Sequence, residues 1–368
     1  MKIVIISAVM FPRTSPRAVR TTELAKYFAS KGHDVTLYGC AGNYNYDDFQ
    51  RQTGVKVRNI EKRRFSRLES DGSYQDGLFD KICKRLFGKY LEWPNIELSW
   101  KVNSILKQDY DADLLITIAI PHPIHWGAAW RKKHANGKFP KVWVSDCGDP
   151  YCGNSVDANS HPSYFKKIEK FWGDQTDYVA IPIEEGRKAY FSNVQDKIRV
   201  IPQGIDFSQY RIEQYTKNDV PSFAFAGATY EGYRDPSEFL EYLSALDFDF
   251  RFYVFTPPAS IFHKYKERLG EKIVISNYIP REDLIPFLSK MDFLVNIANN
   301  SSVQSPSKLM DYGLTKRPIL TIATRFEQSK NFEAFVRGDY SLQEVVDIER
   351  FNINRVGQQF IDLVCGKA

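Results

Sequence analysis

Three residues near the end of the chain have the types and spacing to grip a phosphate-bearing ligand. Ser307, Lys308 and Asp311 lie within Asn299 to Thr321 (NNSSVQSPSKLMDYGLTKRPILT), after the apolar run Met291 to Ile297. That run is expected as a buried parallel strand. Pro306 suits the first turn of a helix, and Ser305 before it suits the N-cap. Pro318 would stop the helix, and Ile319 to Ile322 would open the next strand. A helix N-terminus facing the carboxyl end of a strand offers free backbone N–H groups and a partial positive charge, a seat for phosphate. Ser307 and Lys308 would occupy the first turn and Asp311 the next. A plain α/β loop carrying a solvated Asp is the alternative.

Other candidates fall at the ends of other apolar runs. Phe11 to Arg17 (FPRTSPR) leads into an amphipathic helix over Ala18 to Ala29, with Ser15 as N-cap and Pro16 in the first turn. Arg13, Arg17 and Arg20 crowd its entrance, and guanidinium forks suit phosphate or carboxylate. Ile120 to His125 (IPHPIH) follows the strand Leu114–Ile118, and Val144 to Pro150 (VSDCGDP) follows Lys141–Ser145. Both are carboxyl ends of parallel strands, where ligands bind in open α/β sheets. Asp146 and Asp149 could there orient acceptor hydroxyls, though Asp before Gly or Pro is also ordinary turn chemistry. Gly227 follows the strand Phe223–Ala226 and permits close backbone approach to a ligand.

The elements that must position these residues alternate short apolar strands with longer helical patterns, as in doubly wound parallel sheets. The further strands expected are Lys2–Ser7, Val35–Tyr38, Val55–Asn59, Tyr178–Ile181, Ile198–Ile201, Asp249–Phe255 and Ile273–Ser276. Two such series imply two Rossmann-like domains, residues 1–203 and 204–349, with 350–368 forming a terminal helix. The length of 368 residues suits two domains of ordinary size, and a hydrophobic fraction of 43% suffices for substantial cores.

A net charge of +5 is too mild to indicate nucleic acid as the main partner. No apolar stretch reaches the length of a membrane span, and Met1 to Phe11 reads as a core strand rather than a signal peptide. A cytoplasmic protein is expected, and the five scattered cysteines fit reduced thiols. Cys147 and Cys152, with His161 nearby, match no usual zinc spacing, so no metal site is expected. Neither half shows G-x-G-x-x-G, which argues against a dinucleotide-dependent dehydrogenase. Leu78 to Leu91 (LFDKICKRLFGKYL) places its apolar residues on one helical face and Lys81, Lys84, Arg85 and Lys89 on the other. With Lys62, Arg63, Arg64 and Arg67 just upstream, it reads either as a core helix with a solvated basic face or as a contact with an anionic membrane.

PSKLMDYGLTKRPIL resembles the donor-nucleotide motif of retaining GT-B glycosyltransferases of family 4. The resemblance implies two Rossmann-like domains facing a cleft, with the terminal helix crossing back to the first domain. Pro202-Gln203-Gly204-Ile205-Asp206 is similar to the family's interdomain linker. Asp311 falls on the second acidic position of the motif, which holds the ribose hydroxyls; Val303 stands at the first. IPHP and DCGDP resemble the Pro-Pro-His and Asp-x-Arg-Asp-Pro segments of a bacterial branch, with Gly148 where the Arg is usual. His122 then matches the histidine that reaches the donor sugar. Arg234 matches an arginine that neutralises the donor diphosphate. Phe239 stands where the partner lysine is usual, so Lys308 is expected to replace it.

The implied function is a metal-independent, retaining transfer of a sugar from a nucleotide sugar to a glycan or lipid-linked acceptor, with no cofactor. A polysaccharide-building enzyme, peripheral to the inner face of the cytoplasmic membrane, is expected. A nucleotide-sugar epimerase of the same fold and a non-catalytic glycan- or nucleotide-binding protein are the alternatives.

Overall fold

The structure, a computed structural model, describes residues 1–60, 86–152, 162–232, 234–258, 260–298 and 308–366. The chain divides into two compact units, Met1–Ile205 with Asn352–Ala368, and Asp206–Phe351.

The first unit is built on β1 (Lys2–Ser7), α1 (Pro16–Ser30), β2 (Asp34–Gly39), α2 (Asp47–Thr53), β3 (Lys56–Asn59), α3 (Glu97–Gln108), β4 (Leu114–Ala119), α4 (Pro123–His134), β5 (Val142–Cys147), α5 (Phe165–Gln175), β6 (Tyr178–Ile181) and β7 (Ile198–Val200). Its seven strands are all parallel in the order β3-β2-β1-β4-β5-β6-β7. Because side chains alternate across a strand, Val4 and Ile6 enter one core with Leu98, Val102 and Trp172. Ile3 and Ile5 enter the other, with Leu24, Phe28 and Phe360. Ser15 caps α1 as its sequence demands, its hydroxyl accepting from the Ala18 N–H at 3.4 Å.

The second unit contains β8 (Ser222–Ala226), α6 (Ser237–Ser244), β9 (Arg251–Phe255), α7 (Lys266–Leu269), β10 (Ile273–Ser276), α8 (Arg281–Leu288), β11 (Phe293–Ile297), α9 (Lys308–Thr315), β12 (Ile319–Ile322) and α10 (Ser329–Val336). Its parallel sheet runs β10-β9-β8-β11-β12. Phe223 on the central strand stacks between Phe252 and Phe293, with ring centroids 4.8 Å away on each side. Such close aromatic packing fixes the register of three strands at once.

The terminal helix α11 (Ile353–Val364) belongs to the first unit. Val356, Phe360 and Leu363 share a core with Leu24 and Phe28 of α1. Gly357 lets it come close, since a Cβ there would stand 2.1 Å from the Tyr27 ring. Among the described residues no helix is long and apolar enough to cross a membrane.

Candidate active site

In the second unit, four of the expected donor-site residues gather around the carboxyl end of β8 and the helix α9. The chain leaves β8 at Gly227 with φ +147°, a conformation that L side chains rarely adopt. A Cβ there would lie 3.8 Å from Lys308 Cδ, so the glycine backbone flanks the lysine stem. Lys308 is buried, and its Nζ donates to the Ile297 carbonyl at 3.2 Å at the end of β11. The same ammonium sits 4.7 Å from the centroid of the Phe225 ring. Burial, with the nearby Arg234 charge adding to it and Glu344 opposing, pulls the Lys308 pKa down to about 7. Among the described residues no carboxylate lies within ion-pair distance of Lys308.

Arg234 is placed by a tight turn in which Tyr230 and Arg234 exchange backbone hydrogen bonds around Gly232. Its guanidinium donates to the Ala228 carbonyl at 3.2 Å. Asp235, next in the chain, accepts from the N–H and hydroxyl of Ser237 at 2.9 and 2.6 Å and so secures the entry to α6.

Asp311 is largely buried and forms an ion pair with Arg281, the first residue of α8. Burial raises its pKa, and Arg281 opposes that rise. Arg281 also stands over the Tyr210 ring at 5.7 Å. Tyr312 ties α9 to β8, its hydroxyl accepting from the Ala226 N–H at 2.8 Å. Glu344 bonds Asn296 Nδ2 at 3.0 Å and the Thr321 hydroxyl. Sequence reasoning missed Arg281, Tyr312 and Glu344. Tyr312 stood inside the quoted motif, but Arg281 and Glu344 sit in no motif and become visible only when the sheet closes. Ser307, with the rest of 299–307, lies outside the described residues.

The first unit holds the other candidates. Asp146, at the end of β5, is 1% exposed, and both its oxygens face arginines. Arg20 Nε donates to one at 2.7 Å and Arg17 to the other at 3.2 Å. Arg20 reaches on to the carbonyls of Ile201 and Pro202, tying α1 to the segment after β7. Gly148 leaves room for this: a Cβ there would be 1.9 Å from an Arg17 nitrogen. The Arg17 guanidinium therefore lies over the position where the resemblance leads one to expect an arginine. Arg13 is exposed in the loop before α1, and Asp149 is half-buried.

His122 is buried just before α4, its ring 5.0 Å from that of Tyr151. His125 is fully buried, paired through Nδ1 with the Thr117 hydroxyl at 2.8 Å and stacked on Trp172 at 5.2 Å. The ligating atoms of His122, His125 and Cys147 all lie within 4.8 Å of one another. Burial pushes the Cys147 thiol up and the His125 imidazole down, so both are favoured in their neutral forms, hydrogen-bonded at 3.4 Å. A metal there would need a thiolate in surroundings that disfavour one. Of the zinc set weighed from sequence, His161 lies outside the described residues.

Residues 18–209, more than half of the chain, match the model of Glycosyltransferase Family 4. The chain belongs to that family. No curated protein matches its sequence. Among solved structures, HepE of Anabaena in complex with UDP is similar to this glycosyltransferase at 9% identity, covering 100% of both chains with a TM-score of 0.64. A glycosyltransferase from Rickettsia africae is similar at 14% identity, over 100% of this chain and 98% of its own, with a TM-score of 0.66. The lipopolysaccharide outer core galactosyltransferase WaaB, in its apo form, is similar at 12% identity over 100% of both chains, with a TM-score of 0.62. At such identities the likeness establishes the fold, which is the two-domain GT-B fold. The family match spans mainly the first unit, whereas the Lys308 cluster belongs to the second.

Proposed function

We propose that this glycosyltransferase moves a sugar from a nucleoside-diphosphate sugar to a glycan or lipid-linked acceptor, with retention of anomeric configuration and without a metal. The observation that carries the reading is Lys308, buried beside Arg234 and disfavoured as a cation until an anion arrives. Glycosyl transfer develops negative charge on the departing diphosphate. Cations already fixed in place stabilise that charge without reorganising, which is the largest electrostatic contribution such a site can make. Lys308 and Arg234 would take the diphosphate, with Gly227 allowing close approach of the backbone and Ser307 adding a hydroxyl. Asp311 would accept from the ribose hydroxyls, its carboxylate held by Arg281.

In the first unit, His122 would reach the donor sugar. Arg17 and Arg13 would meet anionic groups, and Asp149 would orient acceptor hydroxyls. Asp146 would act through Arg17, which it aims. With two fixed cations no metal is called for, and the class of acceptor fits assembly of a surface polysaccharide by an enzyme peripheral to the inner face of the cytoplasmic membrane. The UDP complex of HepE supports a nucleoside diphosphate as the ligand.

The test begins with a thermal-shift screen of nucleoside diphosphates, since a ligand bound only by the folded state raises stability with its occupancy. With the matching donor sugar, acceptor-dependent release of nucleoside diphosphate should occur in the presence of chelator and be lost in Arg234→Ala. The product anomer, read by NMR, should match the donor's. Release that needs an added divalent ion, or an inverted product, would contradict the proposal.

A further inference from the structure

On the first unit, helices α3, α4 and α5 enclose a hollow of about 570 Å³ whose lining is overwhelmingly apolar. Trp100 of α3 and Trp130 of α4 stand on its lip, 65% and 57% exposed. Trp126, Ile168 and Phe171 form its floor, and among the described residues Lys133 and Lys167 are its only charged lining residues. Lys133 extends over the Phe171 ring, its Nζ 5.3 Å from the centroid, so its stem covers apolar surface while its charge stays outward. Lys166 and Lys170 are exposed on the same helix as Lys167, whereas the carboxylates of Glu97 and Glu169 are buried.

The apolar surface continues past the N-terminus of α5. Tyr164 is exposed there and donates its hydroxyl to the Tyr90 carbonyl. Residues 86–91 form a turn of helix whose Leu86, Phe87, Tyr90 and Leu91 are all about half exposed. A soluble surface rarely leaves so many large apolar groups together without a use for them. Tryptophan and tyrosine flanked by lysines, with Glu92 half-buried on the Tyr151 hydroxyl and Glu97 and Glu169 buried, is the composition that settles at the boundary of an anionic bilayer.

We propose that this face docks the chain on an anionic lipid bilayer, with Trp100 and Trp130 entering the acyl boundary and an acyl chain filling the hollow. The proposal rests on the reading of a lipid-linked acceptor and gives that acceptor's membrane a place on the molecule. The basic stretch 62–85 lies outside the described residues.

The test is co-sedimentation of the full chain with vesicles of equal parts phosphatidylglycerol and phosphatidylcholine, without donor or acceptor. Binding is expected there and not with phosphatidylcholine alone. Lipids brominated on their acyl chains should quench the tryptophan fluorescence of the bound protein. Trp100→Phe with Trp130→Phe should keep binding and lose the quenching of the two lip tryptophans, leaving that of Trp126 on the floor of the hollow. Lys133→Glu with Lys167→Glu should weaken binding about tenfold or more, with an unchanged melting temperature. Absence of sedimentation would overturn the proposal. So would quenching undiminished in the phenylalanine variant, or binding indifferent to the charge reversal. Transfer to a water-soluble acceptor is a separate readout. Its absence from the wild-type chain counts against the proposed reaction, whereas the sedimentation and quenching results decide the docking face.

Discussion

Each unit buries a cluster of cations at the carboxyl end of its sheet, and the two clusters are satisfied in opposite ways. In the first, Arg17 and Arg20 close on Asp146, and Arg20 also spends donors on two backbone carbonyls. There each guanidinium has a carboxylate oxygen of its own to face. In the second, Lys308 has a carbonyl and an aromatic face for company, and Arg234 adds repulsion to burial in lowering its pKa. A buried cation matched internally holds structure together, whereas one left short of negative charge is stored for a ligand that brings it.

The largest effect that can break this contrast is on stability. Asp146→Asn leaves the buried Arg20 and the half-buried Arg17 without their shared countercharge, which is expected to cost about 3–5 kcal/mol. Urea unfolding should show it, and a loss near zero would mean the first cluster is not structural. Lys308→Met should do the reverse: kcat falls about 10²–10³-fold while the melting temperature holds or rises. A variant that both unfolds early and loses activity would place Lys308 with Asp146.

Gly148→Ala sharpens the comparison further, because the added methyl collides with the Arg17 guanidinium. Because the guanidinium is the end of a flexible, half-buried side chain that can swing aside, a destabilisation of at most about 1 kcal/mol is expected, measurable by thermal melting. The smallest effect is the pH profile. With a folded-state pKa of about 7, Lys308 is charged below that value, so kcat/KM should fall as pH rises through it. Between about 7 and the ordinary lysine value of 10.5 the unfolded chain binds the extra proton. Stability from this group should therefore rise with pH across that window, a slope that Lys308→Met should remove.

Much of the fold was legible because its inner strands are buried on both faces and read as short apolar runs between punctuating Pro and Gly. Lys2–Ser7, Tyr178–Ile181, Ile273–Ser276, Phe293–Ile297 and Ile319–Ile322 form where the sequence places them. Ser15 and Pro16 likewise mark the start of α1 through purely local chemistry. The short helix α2 and the helix α10 were not legible, since seven or eight residues give too little periodicity to separate helix from loop. In the site, Lys308 and Asp311 share one motif. Their pairing with Arg234 and Arg281 joins residues from separate sheet connections, which only the tertiary fold brings together. The lowered pKa of Lys308 has no signature in the sequence at all, because it arises from burial and from the neighbouring Arg234 guanidinium.

The most direct test is calorimetry of the best-binding nucleoside diphosphate at pH 8, repeated in buffers of different ionisation enthalpy. One pH unit above its pKa, Lys308 is mostly neutral, so a bound diphosphate should draw in about 0.9 proton by restoring the charge. That uptake should vanish in Lys308→Met while residual binding persists. Binding without proton uptake, or uptake unchanged in the variant, would contradict a lysine stored for the diphosphate.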